Sequence, residues 1–96
     1  MGVVAAELLR DTAMRLLPLG RADAEAMLRE LKTWPLLEGF RGAPPCDVAA
    51  LVDAILAFAA MAEALGDLLV EAEINPVFVL PRGQGVRAAD GVLVLR

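Results

Sequence analysis

The sequence predicts an α+β domain in which a mostly antiparallel sheet carries two helices on one face. Apolar residues recur at helical spacing through the middle of the chain, and after Gly66 the pattern changes to Val- and Leu-rich segments that favour strands. A length of 96 residues fits one small domain, so we expect residues 1–96 to form a single domain without an internal boundary.

The longer helix is predicted between Asp47 and Gly66. Asp47 is a good N-cap, the apolar residues that follow it repeat at helical spacing, and Gly66 supplies a C-terminal stop. Asp53 and Glu63 are the only charged residues on this helix, so we expect it to be covered on more than one side.

A shorter helix is predicted over residues 22–32, with Ala24, Leu28 and Leu31 facing inward and charged residues facing outward. Residues 34–45 separate the two helices and contain several Pro and Gly residues. We therefore expect this segment to be a loop.

The tail of the chain predicts an antiparallel hairpin. Its Val and Ile residues favour strands, and residues 81–85, which read Pro-Arg-Gly-Gln-Gly, supply the turn between two such runs. Pro76 cannot donate a backbone hydrogen bond to a ladder. It therefore marks an edge, a bulge or an interruption of the strand.

Composition excludes several classes of function. The net charge is −4 and the basic residues form no cluster, which argues against nucleic-acid binding. The chain contains no histidine, so it holds no histidine triad, no phosphohistidine and no ordinary zinc site. Cys46 is alone and is best interpreted as a bystander thiol.

Hydropathy predicts a chain that does not enter a membrane. The longest unbroken apolar run, residues 54–62, is shorter than the roughly 18 to 20 residues that a spanning helix needs. The start of the chain lacks the features of a secretory signal. We expect a cytoplasmic protein.

Four stretches of the chain carry a resemblance to a known family. Residues 73–77 read Glu-Ile-Asn-Pro-Val and are followed after the turn by Gly-Val-Arg-Ala-Ala-Asp at 85–90. A glycine-led segment at 2–11, an Arg with a following Pro-Leu at 15–19, and Leu-Leu-Glu-Gly-Phe-Arg-Gly at 36–42 occur in the same order and spacing. Together they resemble the C-terminal part of the ATP-grasp domain in ADP-forming acyl-CoA synthetases, a family that is related to succinyl-CoA synthetase beta subunits.

The resemblance implies a segment of a fold that grips ATP or ADP between two lobes and holds Mg²⁺ against the phosphates. Family members couple acyl-CoA cleavage to ADP phosphorylation, or the reverse, through a phosphorylated histidine on a separate domain. The other ATP-grasp lobe and the CoA-binding and ligase domains have no counterpart here. We therefore expect these parts as partners, from a larger chain or another subunit, and we expect the chain to be inactive alone.

The opening segment, residues 3–17, is open to two interpretations. Its Ala, Leu, Glu, Arg and Met content favours a helix on propensity alone. The resemblance instead implies two strands that turn near Arg10 and Asp11.

The resemblance assigns Asn75 and Asp90 as Mg²⁺ ligands, with Glu73 as a neighbouring carboxylate that orients a metal-bound water or contacts phosphate. A hairpin that turns within residues 81–85 puts Asp90 directly across from Asn75 or one step away, while Glu73 and Asn75 share a face. Without the resemblance these residues are a solvated strand face and a turn.

Two arginines are candidates for phosphate contacts. Arg15 contacts phosphate or forms a surface ion pair with Glu7 or Asp11. Arg41, in a Gly-flanked loop, binds an anion or stabilises the loop by hydrogen bonds.

A different class of function is also compatible with the sequence. The chain can be a small non-catalytic α+β module that serves assembly or regulation. In either case the apolar helix and the open sheet edges predict self-association.

Overall fold

The computed structural model describes residues 3–8, 11–39, 42–74 and 76–96. It confirms the α+β class. The elements in chain order are β1 (Val3–Leu8), β2 (Asp11–Leu16), α1 (Arg21–Arg29), α2 (Trp34–Glu38), α3 (Val48–Leu65), β3 (Leu69–Ile74), β4 (Val77–Val79), β5 (Val86–Ala88) and β6 (Gly91–Leu95).

The opening segment forms an antiparallel hairpin of β1 and β2, with pairs that run from Val3 and Leu16 to Leu8 and Asp11. The two strands implied by the resemblance are thus confirmed, and the helical propensity is overruled. The reason is visible in β2, where Ala13 is buried in the core while Met14 and Leu16 are 57% and 58% exposed. This alternation shows that the helices cover one face of the hairpin.

Helix α1 and the turn that follows it supply most of the core. Ala24, Met27, Leu28 and Leu31 are all less than 5% exposed, and they pack against Ala13, Val52 and Ala59 of the neighbouring elements. The predicted inward face is therefore confirmed, although α1 begins one residue earlier than expected and ends at Arg29.

The segment expected to be a loop contains the short helix α2, so that expectation was wrong. Pro35 occupies its first turn, where the missing N–H is tolerated, and Leu37 is buried. The Cys46 N–H donates to the Leu37 carbonyl at 2.9 Å and ties the following loop to this helix. The described part of the chain thus has three α-helices rather than two.

Helix α3 has the predicted bounds. The Asp47 carboxylate accepts a hydrogen bond from the Ala50 N–H at 3.1 Å, and Gly66 ends the helix at a positive φ of 51°. Val52 and Ala59 are buried against α1. The Arg21 guanidinium of α1 also pairs with Asp53 of α3 at 2.6 Å.

No unbroken apolar run in the sequence is long enough to span a membrane, but one helix of the structure is long and apolar enough. Val48–Leu68, which is α3 with its 3-10 extension, has a mean hydropathy of 2.0 and is by length and composition long enough to cross a membrane. The count of unbroken apolar residues missed it because Asp53 and Glu63 divide the run. Length and composition alone do not separate such a helix from the core helix of a water-soluble domain.

The tail forms the predicted hairpin, which we call the tail hairpin (residues 69–95). β3 pairs with β6, and β4 pairs with β5. The two ladders share the same register, as the pairs Glu73 with Val92 and Val77 with Ala88 show. The two ladders are interrupted beside Pro76, whose carbonyl accepts from the Ala89 N–H at 3.0 Å. The interruption predicted at the proline is confirmed.

The described strands form three separate two-stranded ladders, which differs from the single sheet that we expected. No described residue of β1 or β2 pairs with the tail hairpin. Each hairpin instead packs against its own helix, since β2 contacts α1 whereas β3 and β5 contact α3. The helix pair thereby connects the two hairpins.

Candidate nucleotide and metal site

The tail hairpin carries three carboxylates, Glu71, Glu73 and Asp90, which we call the acidic face. Glu71 and Glu73 lie two residues apart on β3 and pair with Val94 and Val92. Residues directly opposite each other in an antiparallel ladder share a face, and strand side chains repeat every two residues. Asp90 precedes Val92 by two residues, so the strand period predicts that it shares the face of Glu73.

Asp90 lies between β5 and β6, where the ladder is interrupted. Its side chain is exposed, and Oδ1 accepts a hydrogen bond from the Gly91 N–H at 2.8 Å. This bond ties the carboxylate to the start of β6. Glu73 is likewise exposed, so both carboxylates are accessible to a solvated ion or to a phosphate-bound one.

The carboxylates of the acidic face fit a Mg²⁺ ion that is also bound by a nucleotide. Within residues 3–8, 11–39, 42–74 and 76–96 there is no group of three or more Asp, Glu, His or Cys residues that could hold a metal ion. Magnesium, however, keeps several waters and takes one or two carboxylates together with substrate phosphates. The acidic face therefore suits an ion that arrives with a nucleotide, and it does not suit an all-protein metal cage.

Two of the predicted site residues lie outside the described residues. These are Asn75, predicted as a metal ligand opposite Asp90, and Arg41, predicted as an anion contact. Ile74 pairs with Gly91 and Val77 pairs with Ala88. These flanking pairs have the register from which Asn75 was predicted to lie across from Asp90. Both assignments stay predictions.

Arg15 forms a bidentate ion pair with Glu30, a partner that the sequence analysis did not name. Arg15 Nη1 donates to Glu30 Oε1 at 3.1 Å, Nη2 donates to Oε2, and Nη1 also donates to the Met14 carbonyl at 2.9 Å. The hydrogen bond from Arg15 holds the pKa of Glu30 below its usual range. A guanidinium has five N–H donors, so a phosphate contact by Arg15 stays a prediction.

The structure reveals a second role for Asp47 that the sequence analysis missed. Asp47 Oδ1 caps α3, while Oδ2 accepts from the N–H groups of Gly83 and Gly85, at 3.1 and 2.8 Å, in the turn of the tail hairpin. We call this set of contacts the Asp47 latch. Hydrogen bonds from Gly85, Ala50 and Gly83 outweigh partial burial and lower the pKa of Asp47. The paired glycines were the available signal, because Gly N–H groups at positive φ readily surround an anion.

A cleft of about 360 Å³ is lined by Asp47 itself and, among others, by Trp34, Cys46 and Arg82. Trp34 is partly buried and packs against the core. Cys46 is a half-buried free thiol. Neither Glu73 nor Asp90 lines this cleft. The cleft is formed mainly by α2 and the start of α3, so it is separate from the acidic face of the tail hairpin.

Comparison with known proteins gives a consistent result. Residues 1–95 match the family described as ATP-grasp domain. The chain is 35% identical over its whole length to the beta subunit of the ADP-forming acetate–CoA ligase II of Pyrococcus furiosus. It is 46% identical over 99% of its length to the ADP-forming acetate–CoA ligase II of Archaeoglobus fulgidus.

A solved structure agrees with the sequence matches. The dinucleotide-forming acetyl-coenzyme A synthetase 1 of Ca. Korarchaeum cryptofilum, in complex with coenzyme A and Mg-AMPPCP, superposes with a TM-score of 0.80 at 37% identity over 91% of this chain. The chain spans 41% of the Pyrococcus subunit, 13% of the Archaeoglobus enzyme and 39% of the Korarchaeum chain. The resemblance found in the sequence is thus confirmed, and the chain belongs to the ATP-grasp domain family, among relatives that are ADP-forming acyl-CoA synthetases.

Proposed function

We propose that this chain supplies the magnesium and phosphate side of the nucleotide site in an ADP-forming acyl-CoA synthetase. That enzyme interconverts acyl-CoA, ADP and phosphate with the free acid, ATP and CoA. The observation that carries the proposal is the acidic face, which presents Glu73 and Asp90 in a chain that matches the ATP-grasp family along its length. Asp90 and Asn75 are the proposed ligands of Mg²⁺, and Glu73 is the neighbouring carboxylate.

The chemistry of the acidic face supports this assignment. Bound Mg²⁺ would neutralise charge on the nucleotide phosphates, and exposed carboxylates on a hairpin can receive an ion that is already partly coordinated by phosphate. Arg15 and Arg41 are the proposed cationic contacts to the phosphates. Phosphoryl transfer depends mainly on several groups that converge on the reacting atoms.

The chain needs partners for this activity. It contains no histidine, so a phosphohistidine intermediate requires a residue from elsewhere. The proposed partners are the remaining ATP-grasp lobe and the CoA-binding and ligase domains, in the same chain or in another subunit, in the cytoplasm. The isolated chain is then a nucleotide-site component with weak metal affinity and no turnover.

The proposal is tested by titrating the ¹⁵N-labelled chain with Mn²⁺ in the presence of ADP. Mn²⁺ broadens NMR signals of nearby amides, and we expect the broadening to centre on residues 73 and 90. Asp90→Asn should weaken binding about tenfold or more, because it removes one of very few protein ligands.

Asp67→Asn is the matched control, because Asp67 is an exposed carboxylate in the 3-10 turn outside the acidic face. It should leave the broadening unchanged. Broadening that centres elsewhere on the chain, or that survives Asp90→Asn, would refute the proposed site.

One observation also favours the second candidate function, a module for assembly. The tail hairpin exposes large apolar side chains, with Val70, Phe78 and Leu93 each more than half exposed. Exposed apolar surface of this kind marks an interaction site. A partner lobe of the same enzyme and a second copy of this chain are the two proposed occupants, and sedimentation of the isolated chain tests the second.

A further inference from the structure

We propose that Asp47 is a positioning residue for the acidic face, because its carboxylate fastens the turn of the tail hairpin to the start of α3. The inference rests on the proposed function only for what the acidic face binds. The positioning itself follows from the contacts of the described residues.

The latch joins the start of α3 to the turn of the tail hairpin through a single carboxylate, which accepts three hydrogen bonds. Oδ1 accepts from the Ala50 N–H of α3, and Oδ2 accepts from Gly83 at 3.1 Å and from Gly85 at 2.8 Å. Both glycines have positive φ, at 87° and 83°, a conformation that L residues with a side chain rarely adopt. Their N–H groups are thereby turned toward the same anion.

Backbone contacts reinforce the same junction. The Asp47 N–H donates to the Leu80 carbonyl at 2.7 Å, and the Arg82 N–H donates to the Pro45 carbonyl at 2.9 Å. Cys46 forms an isolated antiparallel bridge with Pro81. Residues 80–82 of the hairpin are therefore docked on residues 45–47, the end of the loop before α3.

The opposite end of the hairpin is held at the opposite end of α3. β3 follows directly from the 3-10 turn that ends α3, and the Arg96 N–H closes the base by donating to the Leu68 carbonyl at 2.9 Å. α3 has 18 residues and is about 27 Å long. The tail hairpin is thus attached to both ends of one rigid helix.

The acidic face lies between these two attachments. The arm from residue 69 to residue 80 is about 36 to 40 Å long as a strand, which exceeds the length of α3. Its ladder has an irregularity between Leu69 and Glu71 and the interruption beside Pro76, on either side of Glu73. An arm with two irregular points keeps a fixed direction only if its far end is held. Without the Asp47 carboxylate, the far end of the arm is held only by the backbone contacts between residues 45–47 and residues 80–82.

The test separates the latch from the helix cap. Asp47→Ser keeps a good N-cap, because Ser caps helices well, but its single hydroxyl cannot reach both α3 and the turn. Residual dipolar couplings of the metal-free wild-type chain should fit one alignment tensor for α3, β3 and β6. In Asp47→Ser we expect the β3 and β6 couplings to shrink relative to those of α3. Solvent exchange of the Gly83 and Gly85 amides should rise about tenfold or more, since each loses a bond to a charged acceptor.

Two further variants keep the test decisive. Gly85→Ala disturbs the latch from the turn side without touching the cap, because φ is +83° there, and it should reproduce the loss of hairpin couplings. Asp53→Ser removes an exposed carboxylate of α3 outside the latch and should leave the couplings unchanged.

A loss of thermal stability without any change in the hairpin couplings would give Asp47 a purely structural role and would overturn the proposal. Unchanged couplings and exchange rates in both latch variants would overturn it as well. No metal or nucleotide is present in this experiment. Its failure is therefore distinct from a failure of the Mn²⁺ titration.

Discussion

Replacing Leu28 by Ala should remove a large part of the stability of the chain. Leu28 is 2% exposed and lies in the core that joins α1 to β2 and α3. The loss of about three methylene-sized groups costs about 2.4 kcal/mol in transfer free energy, and the cavity raises the total to about 2–5 kcal/mol. A chain of this size has a total stability of about 5–14 kcal/mol.

A loss of 3 kcal/mol corresponds to a decrease in Tm of about 12–24 °C for a domain of this size. Thermal unfolding followed by circular dichroism measures it. The matched control is Leu68→Ala, since Leu68 is 58% exposed, and it should change the stability by no more than about 0.5 kcal/mol. A cost below about 1 kcal/mol for Leu28→Ala would refute the argument that α1 supplies the core. Equal costs for the two variants would show that Leu68 is covered in solution.

Four further predictions concern the site, the latch and the surface. The purified chain should show no ATPase or acyl-CoA ligase activity above a no-enzyme control, because the converging groups of the complete site are not all present, and turnover abolished by Asn75→Ala would contradict this. Asp90→Asn should weaken Mn²⁺ binding in the presence of ADP about tenfold or more by NMR line broadening, whereas Asp67→Asn should not. Asp47 has a folded-state pKa below its ordinary value of 3.8, so its contribution to stability is present above that value and is lost as the pH falls through the folded-state pKa. Urea unfolding from neutral to acid pH should therefore show a flatter decline for Asp47→Asn than for the wild type, and parallel declines would exclude the latch as a source of acid sensitivity. The exposed apolar residues of the tail hairpin should produce dimers or larger species at about 100 μM, and a strictly monomeric sedimentation profile at that concentration would count against it.

The elements predicted most closely are those whose signals are local. The cap at Asp47, the stop at Gly66 and the apolar spacing between them fix α3 without reference to the rest of the chain. The turn at residues 81–85 likewise fixes the register of the tail hairpin, because the turn decides which residues pair. Short stretches of the sequence therefore suffice to predict α3 and the tail hairpin.

Elements that depend on distant contacts were less predictable. The propensity of residues 3–17 favours a helix, yet Val3–Leu8 and Asp11–Leu16 form strands because Ala13 packs on α1, a contact that no local pattern reveals. Helix α2 has five residues, too few for a periodic signal, and Pro35 in its first turn resembles a loop residue.

The candidate site likewise contains relations that could be predicted from local sequence and contacts between distant residues that could not. Periodicity and the register relate Glu73 and Asp90 from sequence alone. The partner of Arg15, Glu30, is 15 residues away, and the turn glycines bound by Asp47 are 36 and 38 residues away. A side chain that reaches over such separations leaves no pattern in the sequence around it.

The position of Glu30 has a consequence for any attempt to redesign this chain. Glu30 is the C-cap of α1, where the partial negative charge of the helix dipole disfavours a carboxylate and favours a lysine or arginine. A design that optimises α1 as an isolated helix would make that exchange. The new cation would face the Arg15 guanidinium, and the bidentate pair that ties β2 to α1 would become a repulsion. The residue at the end of α1 thus suits its partner Arg15 on β2 and not the local preference of its own helix.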